Sequence, residues 1–167
     1  KNVGALEAIA PRLNAPIFVA GDSDHPNGHH VGFNHLARLG RLDRGLMRQW
    51  MNDAAIFALP ARYEPFGLAP LEAAQSGCAL VLGNIDSLRE IWGNAAQYVD
   101  PDDHEALLAA LARLLANPWH CRRRGEDARR RALDFNLDDL GRRYLELYAA
   151  MAASRTERRL HAVPAAR

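Results

Sequence analysis

The sequence predicts an α/β protein: a doubly wound, mostly parallel sheet with helices on both faces and a helical carboxyl-terminal part. Three observations predict it. Short apolar runs alternate with segments of helical period from Val3 to Val99. The runs stop at Gly or Pro, the residues that punctuate strand ends. From Asp103 onward the pattern is helical, with leucines at 107, 108, 111, 114 and 115 making a stripe of 3.6-residue period.

The elements follow in order. Val3 to Leu13 reads as an amphipathic helix, with Val3, Leu6, Ile9 and Ala10 on one face. Pro16 to Ala20 is a short strand ending at Gly21. Asp22 to Phe33 is a polar loop rich in Gly, His, Asp and Asn. Leu36 to Leu42 reads as a strand, Arg44 to Asn52 as a helix, Ala54 to Leu59 as a strand ending at Pro60, and Leu68 to Ser76 as a helix closed by Gly77. Ala79 to Leu82 has the unbroken apolar character of a strand buried on both faces. Ser87-Leu88-Arg89-Glu90 has the form of a capping box. Gln97 to Val99 is a last strand before Asp100-Pro101. Helices are expected over Glu105–Ala116, Trp119–Leu133 and Leu137–Met151, and a loose tail over Ser154–Arg167. Right-handed crossovers then give a Rossmann-like layout, with one domain over residues 1–153. Gly21, Leu42, Pro60 and the loop Gly83 to Asp86 fall at the carboxyl edge of the strands, where such sheets bind ligands.

With 167 residues the chain can bury a real core. A formal net charge of +1 gives no global reason to expect nucleic acid. No apolar run reaches membrane-spanning length, and the first residues read as a helix rather than a secretory signal. Cys78 and Cys121 lack metal-ligand spacing, and Cys78 sits in an apolar context that suits a buried reduced thiol. These points suit a cytoplasmic protein.

The stretch Glu64 to Glu72, EPFGLAPLE, carries the chemistry. Gly67 permits a turn and a close approach that a side chain would block. Leu68 and Ala69 open a helix whose free N–H groups attract phosphate. Glu72, about one turn in, can accept hydrogen bonds from vicinal hydroxyls. Glu64, before the helix, reaches another part of the ligand. Both carboxylates are expected in one shared hollow, a shape suited to a nucleotide-sugar. The bland alternative is a Glu that merely complements the helix dipole.

NDAAIFALPARYEPFGLAPLEAAQSGCALV, then GNIDSLREIWGNAAQYVDP and LDDLGRRYLELY, resemble in order and spacing the C-terminal, donor-binding domain of family 4 of the retaining nucleotide-sugar glycosyltransferases. The resemblance implies two facing Rossmann-like domains in the whole enzyme. It implies that Glu64 contacts the donor sugar near the reaction centre and Glu72 holds the ribose hydroxyls. The backbone amides of Phe66, Gly67 and Leu68 would face the sugar and diphosphate. Lys1, followed by Asn2, matches the family's phosphate-binding Lys, and Gly40-Arg41-Leu42 would flank the base. The reaction implied is hexosyl transfer with retention, from a nucleoside-diphosphate sugar that is substrate rather than cofactor, with no metal required. Lys1 and the helix end would stabilise the departing diphosphate.

The family's first strand, the Arg near it and the acceptor-binding domain would precede Lys1. The chain is therefore expected to be a fragment that lacks that strand, either leaving a notch in the sheet or filling it with another segment. It should be nearly inactive alone, with the acceptor glycan, lipid or small molecule read by the other domain. Two rivals remain: a non-catalytic nucleotide-binding or regulatory domain of this fold, and a sugar-nucleotide epimerase. Retention of both glutamates speaks against the first, and the E-P-F-G context against the second.

Other features are weaker. His25, His29, His30 and His35 could suggest zinc, but a polar loop is the preferred reading. Arg122–Arg124 and Arg129–Arg131 could touch anionic lipid at a membrane surface, though a solvated helix face with Glu126 and Asp127 is preferred. Trp50, Trp92 and Trp119 are expected as packing anchors.

Overall fold

The computed structural model describes residues 1–21 and 32–161; residues 22–31 and 162–167 lie outside it. The chain divides into two compact units, Lys1–Ala132 and Leu133–Arg167.

In the first unit the strands are β1 (Phe18–Ala20), β2 (Ala37–Gly40), β3 (Ile56–Leu59), β4 (Ala79–Gly83) and β5 (Gln97–Val99). The helices are α1 (Val3–Ile9), α2 (Arg44–Asp53), α3 (Leu68–Gln75), α4 (Asp86–Trp92), α5 (His104–Ala116) and α6 (Pro118–Ala132). Every strand pair is parallel. Ile56–Leu59 runs beside Ala79–Leu82, and Val81–Gly83 beside Gln97–Val99.

The described strands form two sheets, β1-β2 and β3-β4-β5, rather than one. A cavity of about 330 Å³ touches both, lined by Ile17 and Phe18 at β1, Ile56 and Phe57 at β3, and Leu6 and Leu111 from the helices. The sheet thus carries the notch that was one of the two expected outcomes.

β4 shows why the fold is doubly wound. Its residues are all buried. Leu80 and Leu82 join a core with Leu59, Ala73, Leu88, Trp92 and Ala128 from β3, α3, α4 and α6. Ala79 and Val81 join a second core with Leu6, Ile9, Leu107, Leu111 and Leu114 from α1 and α5. Alternate side chains along a strand point to opposite faces, so this one strand nails both helical layers to the sheet.

Several boundaries differ from expectation. The first helix ends at Ile9 and tightens into a 3-10 turn over Ala10–Arg12, because Pro11 has no N–H to continue it. Pro118, which falls between the two expected helices, opens α6, where a first-turn Pro costs no helical bond. Asn117 caps that helix by accepting from the His120 N–H at 3.0 Å. The Ser87 capping box does not form: α4 starts after Ile85, with no side-chain cap, and Ser87 lies within it. Trp50 packs on Phe18, with ring centroids 4.7 Å apart, and Trp92 is buried, but Trp119 is 68% exposed and lies beneath Arg123 rather than anchoring the core.

The second unit is one helix, α7 (Leu137–His161), which runs past Met151 through most of the segment expected to be a tail. Asn136 opens it by accepting from the Asp139 N–H at 2.7 Å.

Candidate functional site

The site is built on the segment that leaves β3. The chain turns at Pro60, passes Glu64 and enters α3 through Gly67, whose φ of 86° and ψ of 73° are left-handed. A side chain is disfavoured there. A Cβ would also lie 3.1 Å from Pro70 Cγ and 3.3 Å from Glu64 Cγ. α3 has no side-chain cap, so its first N–H groups are not bonded by a capping residue.

Glu64 is 9% exposed. Its carboxylate pairs with the Lys1 ammonium. Its backbone carbonyl accepts from the Ser87 hydroxyl at 2.6 Å. The S-x-x-E pattern was therefore misread: Ser87 spends its hydroxyl on the loop after β3, which fixes the peptide of Glu64 against α4.

Glu72 has different surroundings. It is exposed and lines a cavity of about 650 Å³ between α2 and α3, together with Leu42, Arg44, Met47, Arg48 and Gln75. Glu64 is not part of that lining. Glu64 is instead buried beside Lys1, so the two carboxylates do not share this cavity. The left-handed Gly67 lies between them in sequence.

The remaining expected residues fall as follows. Phe66 and Leu68 are exposed on either side of buried Gly67. Leu42 lines the cavity, whereas Arg41 beside it is exposed and outside the lining. Gly21 follows β1 and donates its N–H to the Gly40 carbonyl at 2.8 Å, so its structural role there is to extend the β1-β2 pairing. The cavity's α2 wall is set by Asp43, which caps the helix by accepting from Leu46 N–H at 2.9 Å.

Asn2, noted in the sequence only as the follower of Lys1, makes the densest contacts of the region. Its amide nitrogen donates to the Pro60 carbonyl at 3.0 Å and the Pro101 carbonyl at 2.7 Å. Its amide oxygen accepts from Arg62 Nη1 at 2.8 Å. Arg62 in turn bonds Asp102, with Nε 2.9 Å from the carboxylate. One signal for this end of the chain was available: of 21 Lys and Arg residues, 20 are Arg, and Lys1 is the sole lysine.

Among the described residues no group of three or more His, Cys, Asp or Glu is placed to hold a metal ion. His25, His29 and His30 lie outside those residues. The described His35 has its backbone N–H held by the Glu7 carboxylate at 3.0 Å. Among the described residues no helix is long and apolar enough to cross a membrane. The arginines of α6 are partly engaged: Arg124 donates to the Asn94 carbonyl at 2.9 Å and Arg131 to the Ile91 carbonyl at 2.7 Å. Both cysteines are free and buried, and burial pushes the Cys78 thiol up to about 11.

A family model described as glycosyl transferases group 1 matches residues 29–131. The glycogen synthase of Mycobacterium tuberculosis is 37% identical over 123 residues, which cover 72% of this chain and 29% of the relative. An MMP alpha-(1->4)-mannosyltransferase of Mycolicibacterium hassiacum is 38% identical over 85 residues, or 49% of this chain and 21% of the relative. The fold matches a sucrose-phosphate synthase from Thermosynechococcus elongatus at a TM-score of 0.79 and 21% identity, covering 92% of this chain and 43% of that one. It matches the Anabaena protein HepE, solved with UDP-glucose, at a TM-score of 0.74 and 16% identity, covering 89% of this chain and 44% of that one. The chain thus spans less than half the length of these relatives.

Proposed function

The chain belongs to the glycosyl transferases group 1 family, and from that premise we propose that it is the donor-binding part of a retaining hexosyltransferase that uses a nucleoside-diphosphate sugar. The observation that carries the reading is the corner before α3. It pairs Lys1 with Glu64 at the carboxyl edge of the sheet, beside a helix start with no side-chain cap. A cation and the backbone N–H groups of a helix start without a side-chain cap suit a diphosphate. Glu72, on the exposed wall of the cavity between α2 and α3, suits the ribose hydroxyls. Leu42 in the same wall suits the base. The ligand is then an extended one, read at two places instead of in one hollow.

In the reaction the bond between the anomeric carbon and the diphosphate oxygen breaks, a bond from that carbon to the acceptor hydroxyl oxygen forms on the same face, and the hydroxyl proton passes to the departing diphosphate. Negative charge gathers on the departing diphosphate. Lys1 and the amides of Phe66, Gly67 and Leu68 are placed in this reading to stabilise it, which lowers the barrier because that charge is larger in the transition state than before it. Glu64 orients the Lys1 ammonium and contacts the sugar hydroxyls. No resident metal is needed. The acceptor, whether glycan, lipid or small molecule, is read by a further domain of the length the relatives have, so this chain alone binds donor but turns over little.

Calorimetry with uridine and guanosine diphosphates tests the donor role. One of them should release heat, and Glu72→Ala should weaken it about tenfold, the loss of one hydrogen-bonded charged contact. No heat from either nucleotide rejects the proposal.

A further inference from the structure

We propose that Asn2 is a positioning residue: its amide clamps the amino-terminal segment to the carboxyl ends of two strands and so holds the Lys1 ammonium against Glu64. The part of this concerning ligand rests on the donor-binding reading above.

Three of the four hydrogen bonds this amide can make are formed. Both amide hydrogens have acceptors, one the carbonyl of Pro60 just after β3, the other the carbonyl of Pro101 just after β5. The amide oxygen takes Arg62 Nη1, and Arg62 is itself fixed by Asp102. With donors on one side and an acceptor on the other, the group cannot be turned over without setting like against like. The backbone of Asn2 is equally committed. It sits at φ 59° and ψ 42°, left-handed, and is the only non-glycine residue with positive φ among the described residues. Asn adopts that conformation more readily than most side chains. Its carbonyl accepts from the Ala5 N–H at 3.1 Å and so opens α1.

One residue therefore joins α1, the loop after β3 and the loop after β5. Its neighbour on the amino-terminal side is Lys1, and the loop it grips at Pro60 leads on to Glu64. A lysine carries four methylenes between backbone and charge, and holding it in one place costs about 2 kcal/mol of rotamer entropy. A backbone held at the adjoining Asn2 limits the region the ammonium can sample before any ligand arrives. The clamp thus acts on where the charge stands and has no direct contact with ligand to offer.

The single lysine makes the test clean. A chain labelled with 13C-lysine gives one ε-carbon signal, and Glu64→Gln should shift it. In Asn2→Gly, which keeps the left-handed backbone, and in Asn2→Asp, which keeps the shape but turns the donors into acceptors, the same Glu64→Gln change should leave the signal nearly unmoved. Calorimetry then compares a nucleoside diphosphate with its nucleoside. The Asn2 variants should lose about tenfold in diphosphate affinity and nothing in nucleoside affinity, a split that general loosening of the fold would not produce. Should the Asn2 variants fail to fold, the exposed Arg62→Ala removes the contact that orients the amide and is expected to act in the same direction. Undiminished coupling between Lys1 and Glu64 in the Asn2 variants overturns the clamp. A wild-type chain that shows the coupling but binds no nucleotide overturns the donor-binding reading and the clamp's part in it, while leaving the positioning of Lys1 established.

Discussion

Gly67→Ala is the sharpest single perturbation of the corner. The position has φ 86° and ψ 73°, and a left-handed backbone costs an L-residue about 1–2 kcal/mol. The new methyl would stand 3.1 Å from Pro70 Cγ and 3.3 Å from Glu64 Cγ, both inside ordinary contact distance. Proline cannot move away without carrying the first turn of α3, so the strain falls on Glu64. Against this, Ala orders an unfolded chain by about 0.4–1 kcal/mol relative to Gly. The strain wins, and the net loss is about 1 kcal/mol. For a chain of this size that corresponds to a melting temperature lower by about 2–4 °C. Thermal unfolding followed by circular dichroism reads it directly. Calorimetry should show weaker nucleoside diphosphate binding as well, because the displaced side chain is Lys1's partner. A variant that melts at or above the parent temperature and binds unchanged would refute the argument from backbone geometry.

Other outcomes follow from the same structure. Gly125→Ala places its Cβ against the Gly77 carbonyl oxygen, so the overpacking cost of about 1–3 kcal/mol should exceed the helix-propensity gain of about 1 kcal/mol, and the protein should melt earlier. Gly141→Ala in α7 meets nothing within 4 Å and should raise helix stability by about 0.5–1 kcal/mol, the opposite sign for the same chemical change. Ser87→Ala leaves the Glu64 carbonyl without its hydroxyl donor and should cost about 1 kcal/mol in urea unfolding. The Cys78 thiol, held neutral by burial to about pH 11, ionises earlier in the unfolded chain. The unfolded state then binds fewer protons than the native one, so stability falls as pH rises from about 9 toward 11. Cys78→Ala, melted in parallel with the parent under reducing conditions, should show a shallower alkaline decline; an identical decline removes the thiol as its cause.

The parts of the fold that were legible are those with local cause. β4 announced itself because Ala79 to Leu82 is apolar without alternation, and a strand covered on both faces needs nothing else. The α2 and α5 starts were close to their expected places because Asp43 and Asp103 bond the next turns of their own helices. What sequence could not report is choice between partners. Ser87 had a legitimate local use as a cap, and a distant carbonyl took it instead. Trp119 looks like core by composition, yet is 68% exposed, with the Arg123 guanidinium over its ring. The motif from Glu64 to Glu72 was found, and so was Leu42, but that Glu72 lines a cavity with Leu42 while Glu64 is buried beside Lys1 depends on contacts only the folded chain makes. Asn2 was invisible as a contact because its partners are 58 and 99 residues away.

The divided sheet has a further effect on handling. Among the described residues β1 pairs only with β2, and β3 only with β4, so each has one side without a strand neighbour. Both borders open on the apolar space lined by Phe18 and Phe57. Such borders are templates for any passing extended polypeptide. At high concentration, molecules of this chain should stitch to one another along them, giving light scattering that grows with protein concentration and that a short, soluble apolar peptide can suppress by occupying the seam.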